Sequence, residues 1–204
     1  RMLARELNYI YVDTGAMYRA MALYMIEHKI DVSHLDEVGS ACDAITIDIQ
    51  YSAGEQQVIL NGKNVNDFIR TETVSEMSSK ISAIPEVREK LLSLQRSLAA
   101  AENVIMDGRD IGTHVLPNAD VKIFLTADVH VRAVRRYEEF IAKGVSCTLE
   151  NVEREVIERD ERDMNRAIAP LKQAEDAVRV DTSAMTIEEV VCYLKKLIGQ
   201  AVAR

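Results

Sequence analysis

Residues that bind metals or form disulfides are scarce in this sequence: it has three cysteines and four histidines in 204 residues. Cys42, Cys147 and Cys192 lie far apart, and neither residue type shows the spacing of a metal site. An odd number of widely separated cysteines is typical of reduced thiols inside a cell. We therefore expect a cytoplasmic protein that holds no structural metal and no disulfide framework.

A long apolar run is also missing. The longest, from Ala20 to Ile26, is much shorter than the roughly 20 residues that cross a bilayer. The opening RMLAREL contains no apolar signal core. From these absences we expect a protein that neither spans a membrane nor is secreted.

Positive charge is in deficit, since the formal net charge is −8. Nonspecific binding to nucleic acid needs a basic surface, so we expect no nucleic-acid partner. Four arginines nevertheless cluster in residues 154–166, REVIERDERDMNR. A local arginine group in an acidic protein favours a small anionic ligand over a polymer.

Short apolar runs alternate with stretches of helical spacing. The predicted strands are Tyr9–Thr14, Val104–Asp107, Val121–Thr126 and Ala177–Asp181. Nearly continuous apolar runs of this length are typical of parallel strands buried on both faces. One predicted helix carries the stripe Met17, Met21, Tyr24 and Met25, another opens at Pro85, and a capping box of Thr186 and Glu189 opens the last. This alternation predicts a three-layer α/β fold with a parallel sheet.

One region departs from this pattern. Apolar and polar residues alternate strictly from Ile45 to Tyr51 and again at Val58 and Leu60, after which Asn61-Gly62 suits a two-residue turn. We predict a small antiparallel insert over roughly residues 44–66.

The first motif that suggests chemistry is DTGAMYR, Asp13 to Arg19, where a predicted strand meets a helix. Ligands bind at the carboxyl ends of parallel strands, and helix N-termini favour anions. Arg19 lies one turn into the helix and could bind a phosphate. The alternative is a plain helix cap followed by a surface arginine.

The second motif is DGRDIGT, Asp107 to Thr113, directly after a predicted strand. Its two glycines permit a sharp turn and a close approach to a ligand. Arg109 could bind phosphate, and Asp110 could accept hydrogen bonds from an amino group. The alternative is a tight turn with a local Arg–Asp pair.

The third motif is RDERDMNR, Arg159 to Arg166. Arg159, Asp163 and Arg166 share one helix face that is almost without apolar residues. A charged stripe is most often a solvated face, but this stretch ends at Ala169-Pro170-Leu171, as a short mobile lid would.

A fourth, weaker pair is Ser79 and Arg88 on either side of Pro85. Taken alone, these two residues are most simply explained as surface polar groups.

Taken in order, DTGAMYR, SSKISAIPEVR, DGRDIGT and ERDERDMNRAIAPL resemble the cytidylate kinases of the bacterial type. The resemblance extends from residue 1 to about residue 198. The pairing of DGRD with RDxRDxNR is specific to that family among nucleoside monophosphate kinases. The predicted insert also resembles the additional monophosphate-binding segment of these enzymes.

The resemblance implies the three-layer fold of P-loop nucleoside monophosphate kinases. Residues 1–204 would form one kinase domain, with a core over 1–43 and 67–204, a monophosphate-binding insert at about 44–66, and a short helical lid at about 150–170.

The resemblance also implies which residues bind cytosine. Asp110 and Ser79 would accept hydrogen bonds from its exocyclic amino group, and Arg88 would donate to its ring acceptors. Uracil presents a carbonyl at the amino position, which would leave the carboxylate unpaired. A mismatch of this kind at a polar site discriminates strongly.

Further roles follow from the same resemblance. Three arginines would hold the CMP phosphate: Arg19, Arg109 and Arg166. Arg159 and Asp163 would hold the sugar hydroxyls, and the Thr14 hydroxyl would contact the phosphate region. The catalytic residues would be Arg159, Arg162 and Arg109, which would stabilise the transferring phosphoryl group.

The implied reaction moves a phosphoryl group from ATP to CMP or dCMP, with Mg²⁺ accompanying ATP. The transition state is loose, and arginines and Mg²⁺ stabilise its charge. No general base is expected, because the accepting phosphate is already an anion. We expect a monomer.

The family's phosphate loop, GxxxxGK[ST], is not found in this sequence. Only Gly62 precedes a lysine, and Asn64 follows that lysine. We therefore expect residues 1–204 to be an incomplete piece of a normal enzyme, with an exposed apolar seam and no useful kinase activity of its own. The alternatives are an inactive relative that binds nucleotides without catalysis and, among enzymes, another nucleoside monophosphate kinase such as a UMP/CMP kinase. The predicted insert and Asp110 argue against the latter.

Overall fold

The structure is a computed structural model that describes residues 1–202. The chain divides into two compact units, the first spanning Arg1–Ile111 and the second beginning at Gly112. The described helices include none that is both long and apolar enough to cross a membrane.

The first unit contains a parallel pair of strands and five helices. The strands are β1, Ile10–Asp13, and β5, Val104–Asp107, and their residues pair from Ile10 with Val104 to Asp13 with Asp107. The helices are α1 Met2–Leu7, α2 Thr14–Glu27, α3 Leu35–Ala44, α4 Glu72–Ile81 and α5 Pro85–Ala101. Both predicted strands and the proline that opens α5 are confirmed.

Helix α2 lies at the centre of the first unit's core. Met17, Met21 and Met25 are fully buried along one stripe, as the spacing predicts, and α4 and α5 pack against this helix. Burial of each such side chain stabilises the fold by about 1.5–3 kcal/mol relative to exposure. The carboxylate of Asp13 caps the helix by accepting a hydrogen bond of 2.9 Å from the amide of Ala16. This packing fixes the position of the α2 N-terminus, where the first motif lies.

The predicted antiparallel insert is confirmed as three strands: β2 Ile47–Ser52, β3 Glu55–Leu60 and β4 Lys63–Asn64. Asn61 and Gly62 both have positive φ angles, of 46° and 81°, as a type I′ turn requires. The turn before it was not predicted. There Ala53 adopts a φ of 52°, and alanine gives no sequence signal for that conformation.

The second unit also contains a parallel pair of strands. β6, Ile123–Thr126, pairs with β7, Val178–Asp181, and the helices are α6 Val129–Ala142, α7 Leu149–Asn165 and α8 Ile187–Val202. The predicted capping box is confirmed. The Thr186 amide donates to Glu189 Oε2 over 2.8 Å, and the Glu189 amide donates to Thr186 Oγ1 over 3.2 Å.

We expected the parallel strands to be buried on both faces, and this expectation is correct for only some of their residues. Val12 and Val180 are buried, but Leu125 is 53% exposed and Val178 is 43% exposed. An apolar run does not show how many neighbours a strand has. Each parallel sheet has two strands within residues 1–202, so apolar side chains in β6 and β7 keep contact with solvent.

A short π-helix, Ile111–Val115, follows β5 after the sharp turn at Gly108. A β-carbon on Gly108 would lie 2.6 Å from Thr14 Oγ1 and 2.7 Å from Ile111 Cδ1. The backbone of the second motif thus reaches Thr14 only because residue 108 has no side chain.

We predict that Gly108→Ala lowers the free energy of unfolding by about 1–3 kcal/mol, because its methyl group would overlap Thr14 and Ile111. Urea denaturation measures the change. Gly39→Ala is the matched control, since a β-carbon there meets nothing within 4 Å inside α3, and it should be neutral or stabilising by up to about 1 kcal/mol. Equal midpoints for wild type and Gly108→Ala would contradict the close approach.

Candidate functional site

The first two motifs meet at the carboxyl ends of β1 and β5. Asp13 and Asp107 are paired in register, and each motif continues directly from its strand. The Thr14 hydroxyl donates a hydrogen bond of 2.7 Å to the carbonyl oxygen of Asp107. Thr14, Arg109 and Asp110 therefore belong to one edge of the sheet, as the sequence predicts.

Arg19 lies against the carboxylate of Asp13 rather than on the surface. Its Nη2 donates to Asp13 Oδ2 over 3.0 Å, and only 17% of the side chain is exposed. Burial lowers the pKa of Arg19, and the charge of Asp13 opposes that shift. The alternative of a plain cap with a surface arginine is thus wrong, since the same carboxylate caps α2 and holds the arginine.

The insert contacts the end of β1 through two side chains that the sequence did not single out. Gln56 Oε1 accepts a hydrogen bond from the Asp13 amide over 2.8 Å, and Gln56 Nε2 donates to the Asp13 carbonyl over 3.1 Å. The Tyr51 hydroxyl donates to the carbonyl of Tyr11 over 3.3 Å, and burial raises the pKa of Tyr51 to about 12. No spacing or composition signal predicts contacts between residues 40 and 43 positions apart.

Arg88 and Asp110 form a buried ion pair. Arg88 also donates to the carbonyl of Ser82 over 3.0 Å, and its guanidinium lies over the ring of Tyr18. The Ser82 hydroxyl in turn donates to the carbonyl of Ser79 over 2.8 Å. The structure thus brings together the predicted base-binding residues, so surface polarity does not explain Arg88 or Asp110.

Two polar atoms in this group are buried without a hydrogen-bond partner among the described residues: Ser79 Oγ and Arg88 Nε. Buried polar atoms in native proteins are almost always satisfied, and each exception needs a reason. A buried ion pair by itself is weak support for stability, because desolvation offsets its attraction. A polar ligand that hydrogen-bonds here would account for both observations.

Asp107 is the first residue of the second motif, and the sequence pattern predicts no chemical role for it. It accepts a hydrogen bond from the Tyr11 hydroxyl. Desolvation, the largest cause, raises the pKa of Asp107, while Tyr11 and the nearby charge of Arg109 lower it; the net shift is upward. Asp107 is nevertheless an exposed residue, so solvent moderates this upward shift of its pKa. Burial and the charge of Asp107 raise the pKa of Tyr11 as well.

The third motif lies at the end of α7 in the second unit. The Asp163 side chain is 5% exposed, its Oδ2 lies 3.9 Å from Arg159 Nε, and its carbonyl accepts a hydrogen bond of 2.8 Å from the amide of Leu171. Arg162 is half exposed and lies 4.0 Å from Glu158. A solvated charged stripe would not bury an aspartate, so that alternative is wrong for Asp163.

Arg166 follows the last residue of α7, which ends four residues before the predicted stop at Ala169. Its amide donates to the carbonyl of Arg162 over 3.1 Å, and its Nε donates to the carbonyl of Ala169 over 2.7 Å. Ala169 has a φ of 46°, which turns the chain back toward the helix. The sequence pattern did not predict the ion pair of Arg132 and Asp160, which joins α6 to α7 over 2.7 Å.

Chemically, both units offer arginines for anions. In the first unit the arginines lie beside a buried carboxylate and hydroxyl suited to a base with an amino group. Residues 1–202 contain no group of three or more His, Cys, Asp or Glu side chains placed to hold a metal ion.

Comparison with known proteins agrees with these chemical features. The family model described as cytidylate kinase matches residues 1–200. The chain is 48% identical to a cytidylate kinase of Carboxydothermus hydrogenoformans, over 98% of this chain and 90% of that protein. It is 46% identical to one of Lactobacillus johnsonii, over 97% and 86%, and 43% identical to one of Bacillus cytotoxicus, over 100% and 91%. With its motifs, its parallel strands and these relatives in agreement, the chain belongs to the cytidylate kinase family of nucleoside monophosphate kinases.

Proposed function

We propose that this protein transfers the terminal phosphoryl group of ATP to CMP or dCMP, giving ADP and CDP or dCDP. The observation that carries the proposal is the buried Arg88–Asp110 pair, which hydrogen bonds of Ser82 link to Ser79. Two polar atoms of this group, Ser79 Oγ and Arg88 Nε, have no hydrogen-bond partner among the described residues. Relatives named cytidylate kinase support the same substrates. These relatives give no support to a UMP/CMP kinase or to a binding protein without catalysis.

Cytosine selection follows from the chemistry of these three residues. Asp110 and the Ser79 hydroxyl accept hydrogen bonds from the exocyclic amino group, and Arg88 donates to the ring nitrogen and carbonyl oxygen. The ion pair places the Arg88 donors and the Asp110 acceptor side by side. Uracil would place a carbonyl against that carboxylate, so two acceptors would face each other without a proton between them.

The remaining predicted residues bind the phosphate and the sugar of the acceptor nucleotide. Arg19, Arg109 and Arg166 bind the CMP phosphate, and the Thr14 hydroxyl orients it. Asp163 accepts from a sugar hydroxyl, and Arg159 donates to one. Asp13 supports Arg19 in this role, because it holds the guanidinium at 3.0 Å.

Transfer itself requires positioning and charge stabilisation more than acid–base chemistry. Phosphoryl transfer proceeds through a loose transition state with charge on the equatorial oxygens. Arg109, Arg159 and Arg162 donate to those oxygens. The attacking oxygen belongs to an ionised phosphate, so no side chain needs to remove a proton.

Kinases usually transfer phosphoryl groups with a divalent metal, and Mg²⁺ binds through phosphates, waters and one or two carboxylates. Asp107 suits this mode by its position, because this exposed residue ends β5 opposite Asp13. We therefore infer that Asp107 would hold the ion that accompanies ATP. Mg²⁺ bound there would neutralise charge on the ATP phosphates.

Base choice should depend on Asp110. Asp110→Ala should reduce the ratio of CMP to UMP affinity by about 5- to 150-fold, the equivalent of about 1–3 kcal/mol for a lost polar contact. Calorimetry with both nucleotides measures that ratio. Loss of Asp110 also leaves Arg88 buried without its partner, which should cost about 3–5 kcal/mol of stability. The ratio is the proper readout, because unfolding affects both affinities equally.

Asp43→Ala, an exposed position on α3, is the control for this experiment and should leave the ratio unchanged. A wild-type protein that binds CMP and UMP equally would refute the base assignment. Coupled assay of ADP release with each nucleotide, in the protein as its gene encodes it, tests the transfer reaction separately.

Phosphate binding should depend on three arginines. Arg19→Met, Arg109→Met and Arg166→Met should each weaken CMP binding by about 10- to 150-fold, the equivalent of a lost charge-assisted hydrogen bond of about 1.5–3 kcal/mol. Cytidine, which has no phosphate, should bind each variant as it binds the wild type. Arg154→Met is the control, since this exposed arginine on α7 contacts Asn151 only through a 2.8 Å hydrogen bond. Unchanged CMP affinity in all three variants would show that these arginines do not bind the phosphate.

A further inference from the structure

A second arginine shares the carboxylate that holds Arg19. Arg70 Nη2 lies 3.4 Å from Asp13 Oδ2, the same oxygen that accepts from Arg19 at 3.0 Å. Two guanidinium groups therefore converge on one oxygen atom. The positive charge of Arg70 is also one of the causes that lower the pKa of Arg19. A pair of cations this close is stabilised further by any additional anion placed between them.

The backbone on both sides of Arg70 is fixed. Ile69, directly before it, is 1% exposed and its amide donates to the carbonyl of Val65 over 3.1 Å. Thr71, directly after it, caps α4 by accepting from the amide of Val74. The Arg70 side chain, in contrast, is 53% exposed. The backbone of Arg70 is therefore held in place, while its guanidinium can exchange one hydrogen-bond partner for another at little cost in free energy.

Charge at this edge of the sheet favours an anionic ligand. The groups described here are the guanidiniums of Arg19, Arg70 and Arg109 and the carboxylates of Asp13 and Asp107. Three positive groups face two negative ones. An exposed arginine with one long ion-pair contact contributes little to stability, so stability alone does not explain the position of Arg70.

We propose that Arg70 is a further phosphate-binding residue of the acceptor site, acting as the second arm of a pair with Arg19. Asp13 holds the two guanidiniums side by side, and the phosphate of the nucleoside monophosphate takes Arg70 from it. Two guanidiniums bind a phosphate more tightly and with better-defined geometry than one, because each supplies charge-assisted hydrogen bonds. This inference rests on the proposed function, which places Arg19 at the phosphate.

The test compares CMP with cytidine by calorimetry in the wild type and in Arg70→Met. The variant should bind CMP about 10- to 100-fold more weakly and cytidine as well as the wild type does. Arg70→Lys should recover part of the loss, because an ammonium neutralises phosphate without the planar fork. Arg5→Met is the matched control: Arg5 also makes one exposed ion pair, 3.1 Å from Glu55, and its loss should change neither affinity.

Two results would overturn the inference about Arg70. One is CMP affinity within about twofold of wild type, and the other is an equal loss of CMP and cytidine binding, which a purely structural role would produce. Failure of the proposed function has a different signature. In that case the wild type would not prefer CMP to cytidine, or Arg19→Met would leave CMP binding intact, and the acceptor site itself would be refuted.

Discussion

The carboxylate of Asp13 connects the fold of the first unit to its chemistry. One oxygen accepts the amide that begins α2, and the other accepts from Arg19 and Arg70. The backbone of the same residue is held by Gln56. Because Asp13 ends β1 opposite Asp107, both motifs of this unit are placed relative to it. The charged side chain of Asp13 thus orients a helix and two arginines, while its backbone holds the insert. Loss of the charge would affect the helix and both arginines together.

The Arg88–Asp110 pair illustrates a different balance between stability and specificity. Both side chains are more than nine-tenths buried, and desolvation of two charges offsets most of their attraction. Apolar residues of similar volume would stabilise the core at least as well. Under the proposed function the pair is preorganised for a polar ligand, because Ser79 Oγ and Arg88 Nε are buried with no hydrogen-bond partner among the described residues. A less stable core would then accompany discrimination between an amino group and a carbonyl at one position of the base.

Sequence reasoning predicted the features that depend on local pattern. The ends of β1 and β5, the capping box at Thr186 and the Asn61-Gly62 turn each follow from a few adjacent residues. It missed contacts that depend on tertiary position, such as Gln56 with Asp13 across the insert. It also overestimated the burial of Leu125, because an apolar run does not reveal how many strands flank it. The roles proposed for the arginines came from motif resemblance. The structure adds the carboxylates that pair with some of them, Asp13 with Arg19 and Asp110 with Arg88.

The contact of Gln56 has a consequence for how the insert is attached. A carboxamide has the same donor and acceptor as a peptide group, so Gln56 pairs with the main chain of Asp13 as a neighbouring strand would. The attachment therefore recognises a backbone conformation rather than a side chain, and it carries no charge that salt or acid could weaken. Apolar packing holds the same insert, because Ile49, Val58 and Leu60 belong to the buried cluster that contains Met17 and Met21 of α2. The attachment of the insert to the sheet edge should therefore persist under conditions of salt or acid that weaken the ion pairs of the neighbouring arginines.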